Sequence, residues 1–139
     1  SGEINKAMPA YVFGKLTAAL NQIGKPIQDS RILILGVAYK RDVDDIRESP
    51  SLDLINILSR SGAFVSYSDP YVPVLPQTRA FDFDMVNVEL TSTVLAAQDA
   101  VVVATDHSKF DYGAILESAN LIIDTRGVYR KLSDKVIRS

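Results

Sequence analysis

The chain has 139 residues, room for one compact domain but not for two large ones. Apolar residues make up 47% and charged residues 23%, with 15 basic against 17 acidic side chains and a formal charge of −2. That balance excludes a broad basic footprint for nucleic acid or an anionic membrane, though not one local basic pocket, and no apolar run reaches the roughly 18 residues of a membrane-spanning helix.

Across Ile4, Met8, Tyr11, Val12, Leu16, Ala19, Leu20 and Ile23 the apolar residues recur at helical spacing, which predicts an amphipathic helix over residues 4 to 23. Pro9 either opens this helix or kinks it; Gly24 ends it, with Pro26 just beyond. The chain opens on polar Ser1-Gly2-Glu3 without Met, so no signal peptide is expected and the start suggests a piece of something longer. A helix placed ahead of everything else is expected to pack on a partner domain rather than on its own core.

An alternating rhythm follows. Arg31 to Gly36 is a nearly all-apolar run, as in a parallel strand buried on both faces. Ser49 then caps a helix with Pro50 at its first position; Leu52, Ile55 and Leu58 face inward and Gly62 closes it. Ala63 to Tyr67 is the second strand, stopped by Asp69-Pro70, and residues 71 to 84 read as a loop with no period. Val86 to Glu89 is a weak strand, Ser92 to Gln98 a short helix and Ala100 to Ala104 a strong strand. Tyr112 to Ser118 reads as a helix and Leu121 to Asp124 as the last strand. Strands alternating with short helices predict a doubly wound, Rossmann-like α/β domain with a parallel sheet, preceded by one amphipathic helix.

Ligands of such sheets bind beyond the carboxyl ends of the strands, so the residues there matter most. Lys40 follows the first strand and Arg126 the last, on strands expected to be neighbours or near neighbours. A pyrophosphate suits that pair, Lys40 as a point charge and Arg126 as a bidentate fork; two solvated surface charges are an equally good reading. The glycine fingerprint G-x-G-x-x-G is missing, since Gly36 is followed by Ala38 and Arg41, and the next helix starts only near Ser49. A self-sufficient NAD site is therefore not expected.

The loop from Lys40 to Glu48 holds three cations and four carboxylates. Most of these are expected to be solvated, while Arg47, oriented by Asp42 or Asp45, has the reach to enter a neighbouring site. A magnesium site of the receiver-domain kind needs an acidic pair at the end of the first strand, where this chain has Tyr39-Lys40. His107, the only histidine, has no serine elbow or metal-ligand spacing beside it, so a structural or exposed role is expected. The chain has no cysteine, hence no disulfide, thiolate metal site or thiol nucleophile, and a cytoplasmic location is the expectation.

The stretch from Gly36-Val37-Ala38-Tyr39-Lys40 through Asp44-Asp45-Ile46-Arg47 to Ser49-Pro50-Ser51 resembles the signature of the C-terminal domain of nucleotide-sugar 6-dehydrogenases. This is the group acting on UDP-glucose, UDP-N-acetylhexosamines and GDP-mannose. Tyr67-Ser68-Asp69-Pro70, Thr105-Asp106-His107 and Asp124-Thr125-Arg126 fit the same family, and Ile4 to Val12 resembles the end of its central connecting helix. The wording around Met8-Pro9, Asp44-Asp45 and Asp106-His107 is most similar to members acting on UDP-N-acetylhexosamines.

The resemblance implies a connecting-helix segment over 1–24 and a UDP-sugar-binding domain over 25–139. It implies that Tyr39, Lys40 and Arg126 contact the UDP-sugar and that Arg47 reaches NAD held mainly by an N-terminal domain outside this segment. It further implies partners in the N-terminal and central domains of the same enzyme, a homo-oligomer when intact, and no nucleic acid or membrane partner. The reaction implied is oxidation of the sugar C6 hydroxyl to a carboxylate by two hydride transfers, through a cysteine outside this segment, in polysaccharide biosynthesis. A stand-alone α/β ligand-binding or regulatory module is the alternative; an upstream glycine fingerprint and cysteine would discriminate against it.

Overall fold

The computed structural model describes residues 8–47, 49–75, 85–131 and 133–138. Its elements are α1 (Met8–Gln22), β1 (Arg31–Leu35), α2 (Pro50–Arg60), β2 (Phe64–Ser68), β3 (Val74–Leu75), β4 (Met85–Val86), α3 (Ser92–Ala96), β5 (Ala100–Val103), α4 (Tyr112–Ser118), β6 (Ile122–Asp124) and β7 (Val136–Arg138). Five strands form one parallel sheet in the order β2-β1-β5-β6-β7, the expected doubly wound α/β architecture.

Side chains on β1 and β5 alternate between two cores. Ile32, Ile34 and Val102 point to the face covered by α1 and α2, where Val12, Leu16, Leu20, Leu54, Ile55 and Leu58 are fully buried. Leu33, Leu35, Val101 and Val103 point to the other face, against Leu95, Phe110 and Ile115 from α3, α4 and the turn before α4. Burial on both faces explains the unbroken apolar runs of these strands.

Ser49 caps α2 as expected: its hydroxyl accepts from the Ser51 amide and Pro50 holds the first turn. Gly24 closes α1 at φ 74°, with the Lys25 amide donating to Leu20 O at 2.9 Å.

Three expectations need correction. The leading helix packs on α2 and the sheet of its own domain, because one face carries Val12, Leu16 and Leu20 as a continuous apolar stripe. Leu121 to Asp124 is not the last strand; β7 pairs beyond it, Ile122 opposite Val136 and Asp124 opposite Arg138. The weak strand near Val86 stays out of the main sheet, shortened to Met85–Val86 and pairing antiparallel with β3, inside the segment read as loop. Residues 4–7 of the first helix, Glu48 and residues 76–84 lie outside the described residues.

Candidate functional site

Strand order reverses between β1, whose next strand β2 lies on one side, and β5, which lies on the other. In a doubly wound sheet the cleft at the carboxyl ends of such a pair is where ligands bind. Here the two ends come very close. Gly36, at φ 90°, faces Thr105, whose hydroxyl donates to Ala38 O at 2.8 Å.

The turn after β6 is built by one buried carboxylate. Asp124 Oδ1 accepts from the amides of Arg126 (3.0 Å) and Gly127 (2.8 Å), and Oδ2 accepts from the Tyr129 amide (2.9 Å). This fixes the backbone at Arg126, whose Nε donates to Ala104 O (3.0 Å) and whose Nη1 lies 3.3 Å from Asp106 Oδ1. Its guanidinium is thus aimed along the ends of β5 and β6. A cavity of about 340 Å³ opens there, lined by Arg41, Asp106, Ser108, Tyr112, Arg126, Gly127, Val128 and Arg130. Three guanidiniums face one carboxylate around this space, an arrangement that attracts a multiply charged anion.

The expected site residues divide. Arg126 lines the cavity, while Tyr39 and Lys40 do not border it. They sit on the same loop as Arg41, with the Tyr39 amide donating to Asp45 O (2.7 Å) and Lys40 Nζ 5.7 Å from the centre of the Tyr39 ring. Arg47 stands farther along the loop with its side chain 87% exposed, gripped by Asp45 through Nε and Nη2, each at 3.1 Å. The fork of hydrogen bonds from Arg47 holds the Asp45 carboxyl below its ordinary range. Arg41 and Arg130 were not singled out from sequence. The signal was the spacing: each is a further arginine within four residues of a selected cation.

Of the structural and exposed roles left open for His107, burial removes the exposed one: it is fully buried and hydrogen-bonded between Asp42 and Asp69. Burial raises the Asp69 pKa, but hydrogen bonds from His107, Val37 and Tyr71 outweigh it and the carboxyl titrates below its ordinary value. For Asp42 the Ser108 amide is the chief cause of a lowered pKa.

A second cavity, about 350 Å³, lies over the carboxyl end of β2, floored by Leu90, Leu95, Phe110 and Ile115. It has one cation, Lys109, against the carboxylates of Glu89 and Asp111, and so lacks the charge of the first. Among the described residues no group of three or more acidic or histidine side chains is placed to hold a metal ion, and no helix is long and apolar enough to cross a membrane.

Sheet order, switch point and cationic cavity define the class: a doubly wound α/β domain with an anion-suited cleft at its carboxyl edge. Residues 33–131 match the UDP-glucose/GDP-mannose dehydrogenase family, UDP binding domain, and the chain belongs to that family. The UDP-N-acetyl-D-mannosamine dehydrogenase of Methanococcus maripaludis (strain C7) is 36% identical over 108 residues, 78% of this chain and 23% of the relative. The enzyme of that name from Pyrococcus horikoshii is 32% identical over 133 residues, 92% of this chain and 29% of the relative. The solved structure of UDP-D-ManNAc dehydrogenase from Pyrococcus horikoshii aligns with a TM-score of 0.75 at 30% identity, covering 96% of this chain and 30% of that one. The NDP-N-acetyl-D-galactosaminuronic acid dehydrogenase from Methanosarcina mazei Go1 aligns with the same TM-score at 26% identity, over 97% of this chain and 29% of that one. The chain spans less than a third of the length of these relatives.

Proposed function

We propose that this chain is the UDP-sugar-binding part of an NAD-dependent nucleotide-sugar 6-dehydrogenase, of the kind acting on UDP-N-acetylhexosamines. The observation that carries the reading is the three-arginine cavity at the carboxyl edge of the sheet of a UDP-binding domain. Arg126, braced by Asp106 and Ala104 O, offers its fork to the diphosphate; Tyr39 and Lys40, on the loop after β1, close over the nucleotide sugar. Arg47 is the residue for NAD. Its guanidinium projects outward, held in a planar grip by Asp45, and so fits a phosphate or ribose presented across a seam by another domain.

Oxidation of the C6 hydroxyl to a carboxylate, with two hydrides passing to two NAD molecules, draws its cysteine nucleophile and cofactor fold from outside these residues, since the chain has no cysteine. Its own residues bind and orient the nucleotide. Partners follow from that: the cofactor-binding and central domains of the same enzyme, which also carry its oligomerisation, and the UDP-sugar itself, in the cytoplasm.

Titration of the chain with UDP, followed by amide chemical shifts, tests this. Shifts are expected at the turn after β6, at 39–42 and at 106–108. Shifts confined to the amino ends of the strands would overturn the assignment. UDP alone is expected to bind far more weakly than to an intact dehydrogenase, because a domain missing its neighbours leaves part of the ligand wet.

A further inference from the structure

The carboxyl edge of the sheet contains one buried ionisable cluster that the proposed ligand contacts leave unused. The His107 side chain is 0% exposed, and its Nδ1 lies 2.8 Å from the amide nitrogen of Asp42. An amide nitrogen only donates, so Nδ1 accepts and the ring proton sits on Nε2. Nε2 in turn donates to Asp69 Oδ2 at 2.8 Å. Asp69 is itself locked: Oδ2 accepts from the amides of Val37 (2.8 Å) and Ala38 (3.3 Å), and Oδ1 from the amide of Tyr71 (2.8 Å). One imidazole therefore ties the loops after β1, β2 and β5 to one another.

The β1 loop is held at an unusual point. Asp42 has φ 61°, a conformation that non-glycine residues adopt rarely and keep only when their surroundings enforce it. Its amide is fixed by His107, and its carboxylate accepts from the Ser108 amide (2.7 Å) and hydroxyl (2.9 Å). The residue before Asp42 in the chain is Arg41, and both Arg41 and Ser108 line the arginine cavity. The clasp thus forms part of the cavity wall.

We propose that Asp69, His107 and Asp42 form a latch that holds Arg41 in place for the diphosphate of a nucleotide ligand, which makes His107 a positioning residue of this site. The inference rests on the assignment of the arginine cavity to UDP. Among its described residues the loop carrying Arg41, between β1 and the cap of α2, has no helix or strand, and ordering it before the ligand arrives removes that cost from binding.

Two replacements of the histidine separate positioning from support. His107→Gln sets an amide nitrogen near the Nε2 position, so Asp69 keeps a donor while the Asp42 amide loses its acceptor. His107→Asn sets an amide oxygen near the Nδ1 position, so Asp42 stays held while Asp69 loses a donor. With the 139-residue chain and UDP, His107→Gln is expected to raise Kd about tenfold, the value of a lost charge-assisted contact. His107→Asn is expected to stay within about threefold of wild type while melting at a lower temperature. Affinities that fall in step with melting temperature in both variants would overturn the latch.

Arg41→Ala, at an exposed position, keeps the inference testable even where the histidine variants fail to fold. It is expected to cost about tenfold in UDP affinity, and adding His107→Gln to it should cost little more. Full affinity in Arg41→Ala, or additive losses in the double variant, would likewise overturn it. Arg126→Ala distinguishes the underlying assignment. If Arg126→Ala binds UDP as wild type, the cavity reading fails; if it weakens UDP while Arg41→Ala does not, the latch alone fails.

Discussion

Gly36 and Thr105 meet where β1 and β5 end, and the space between them has no room for a side chain. A Cβ on Gly36 would overlap the Thr105 Cβ and lie 2.9 Å from its Cα, at a φ of 90° that L-residues avoid. Thr105 is itself anchored to Ala38 O, so it has no retreat. Gly36→Ala therefore adds overpacking to backbone strain and should cost roughly 3 kcal/mol or more. Gly127 offers the control: its φ is 71°, but nothing stands within 4 Å of its missing Cβ. Gly127→Ala should cost about 1 kcal/mol, the left-handed conformation alone. Denaturant melts of the two variants check the order.

The charged side chains separate by whether they line the cavity, as Arg126 does and Asp44 does not. Arg126→Ala removes a charged fork held by Ala104 O and Asp106, and should weaken UDP by roughly ten- to a hundredfold. Asp44, an exposed loop carboxylate, should matter far less; Asp44→Ala is expected to leave the affinity within about twofold, since exposed charges interact weakly through water. Calorimetric titration at two salt concentrations checks both, with UDP binding weakening as salt screens the arginines.

Acid should unfold the domain through its carboxylates. Asp69, Asp42, Asp45 and Asp99 all titrate below their ordinary value of 3.8 when folded. A lowered folded pKa means that the unfolded chain binds protons first, so the stability these groups supply is complete above the unfolded value and lost as pH falls through the lowered one. The melting temperature should accordingly be flat near neutrality and drop below about pH 4. Asp69→Asn should flatten that acid limb. It should also cost roughly 3 kcal/mol at neutral pH, because a buried acceptor of several N–H donors is replaced by a group that itself donates on one side.

What sequence makes legible is local. The cap at Ser49 with Pro50 behind it, and the apolar runs of β1 and β5, depend on neighbours in the chain, and they stand in the structure where periodicity puts them. β7 escapes a periodicity reading because it is three residues long, half exposed and flanked by Lys135, and β3 because two residues carry no period; the weak strand expected at Val86 to Glu89 stands instead at Met85–Val86, where two residues are too few to fix its bounds. The burial of His107 was hidden for a different reason. It sits in the polar stretch Thr105 to Lys109, and its partners lie 65 and 38 residues away, brought to it only by the order of the strands. Arg41 enters the cavity lining next to a left-handed residue, Asp42, and no spacing rule foretells that turn.

Arg47 yields the prediction that reaches beyond this chain. Its side chain is 87% exposed, does not line the arginine cavity, and is bonded through Nε and Nη2 to Asp45. In a complete dehydrogenase carrying this domain, Arg47→Ala should therefore raise the KM for NAD by about tenfold, the worth of one charge-assisted contact, and change the KM for the UDP-sugar little. Lys40→Ala should do the reverse. Asp45→Ala keeps the guanidinium but removes the two hydrogen bonds it makes to Asp45, so a smaller rise for NAD, about threefold, is expected from reduced preorganisation. Steady-state kinetics with each substrate varied in turn reads all three, and an Arg47→Ala enzyme that loses the sugar but saturates normally with NAD would place that arginine at the other ligand.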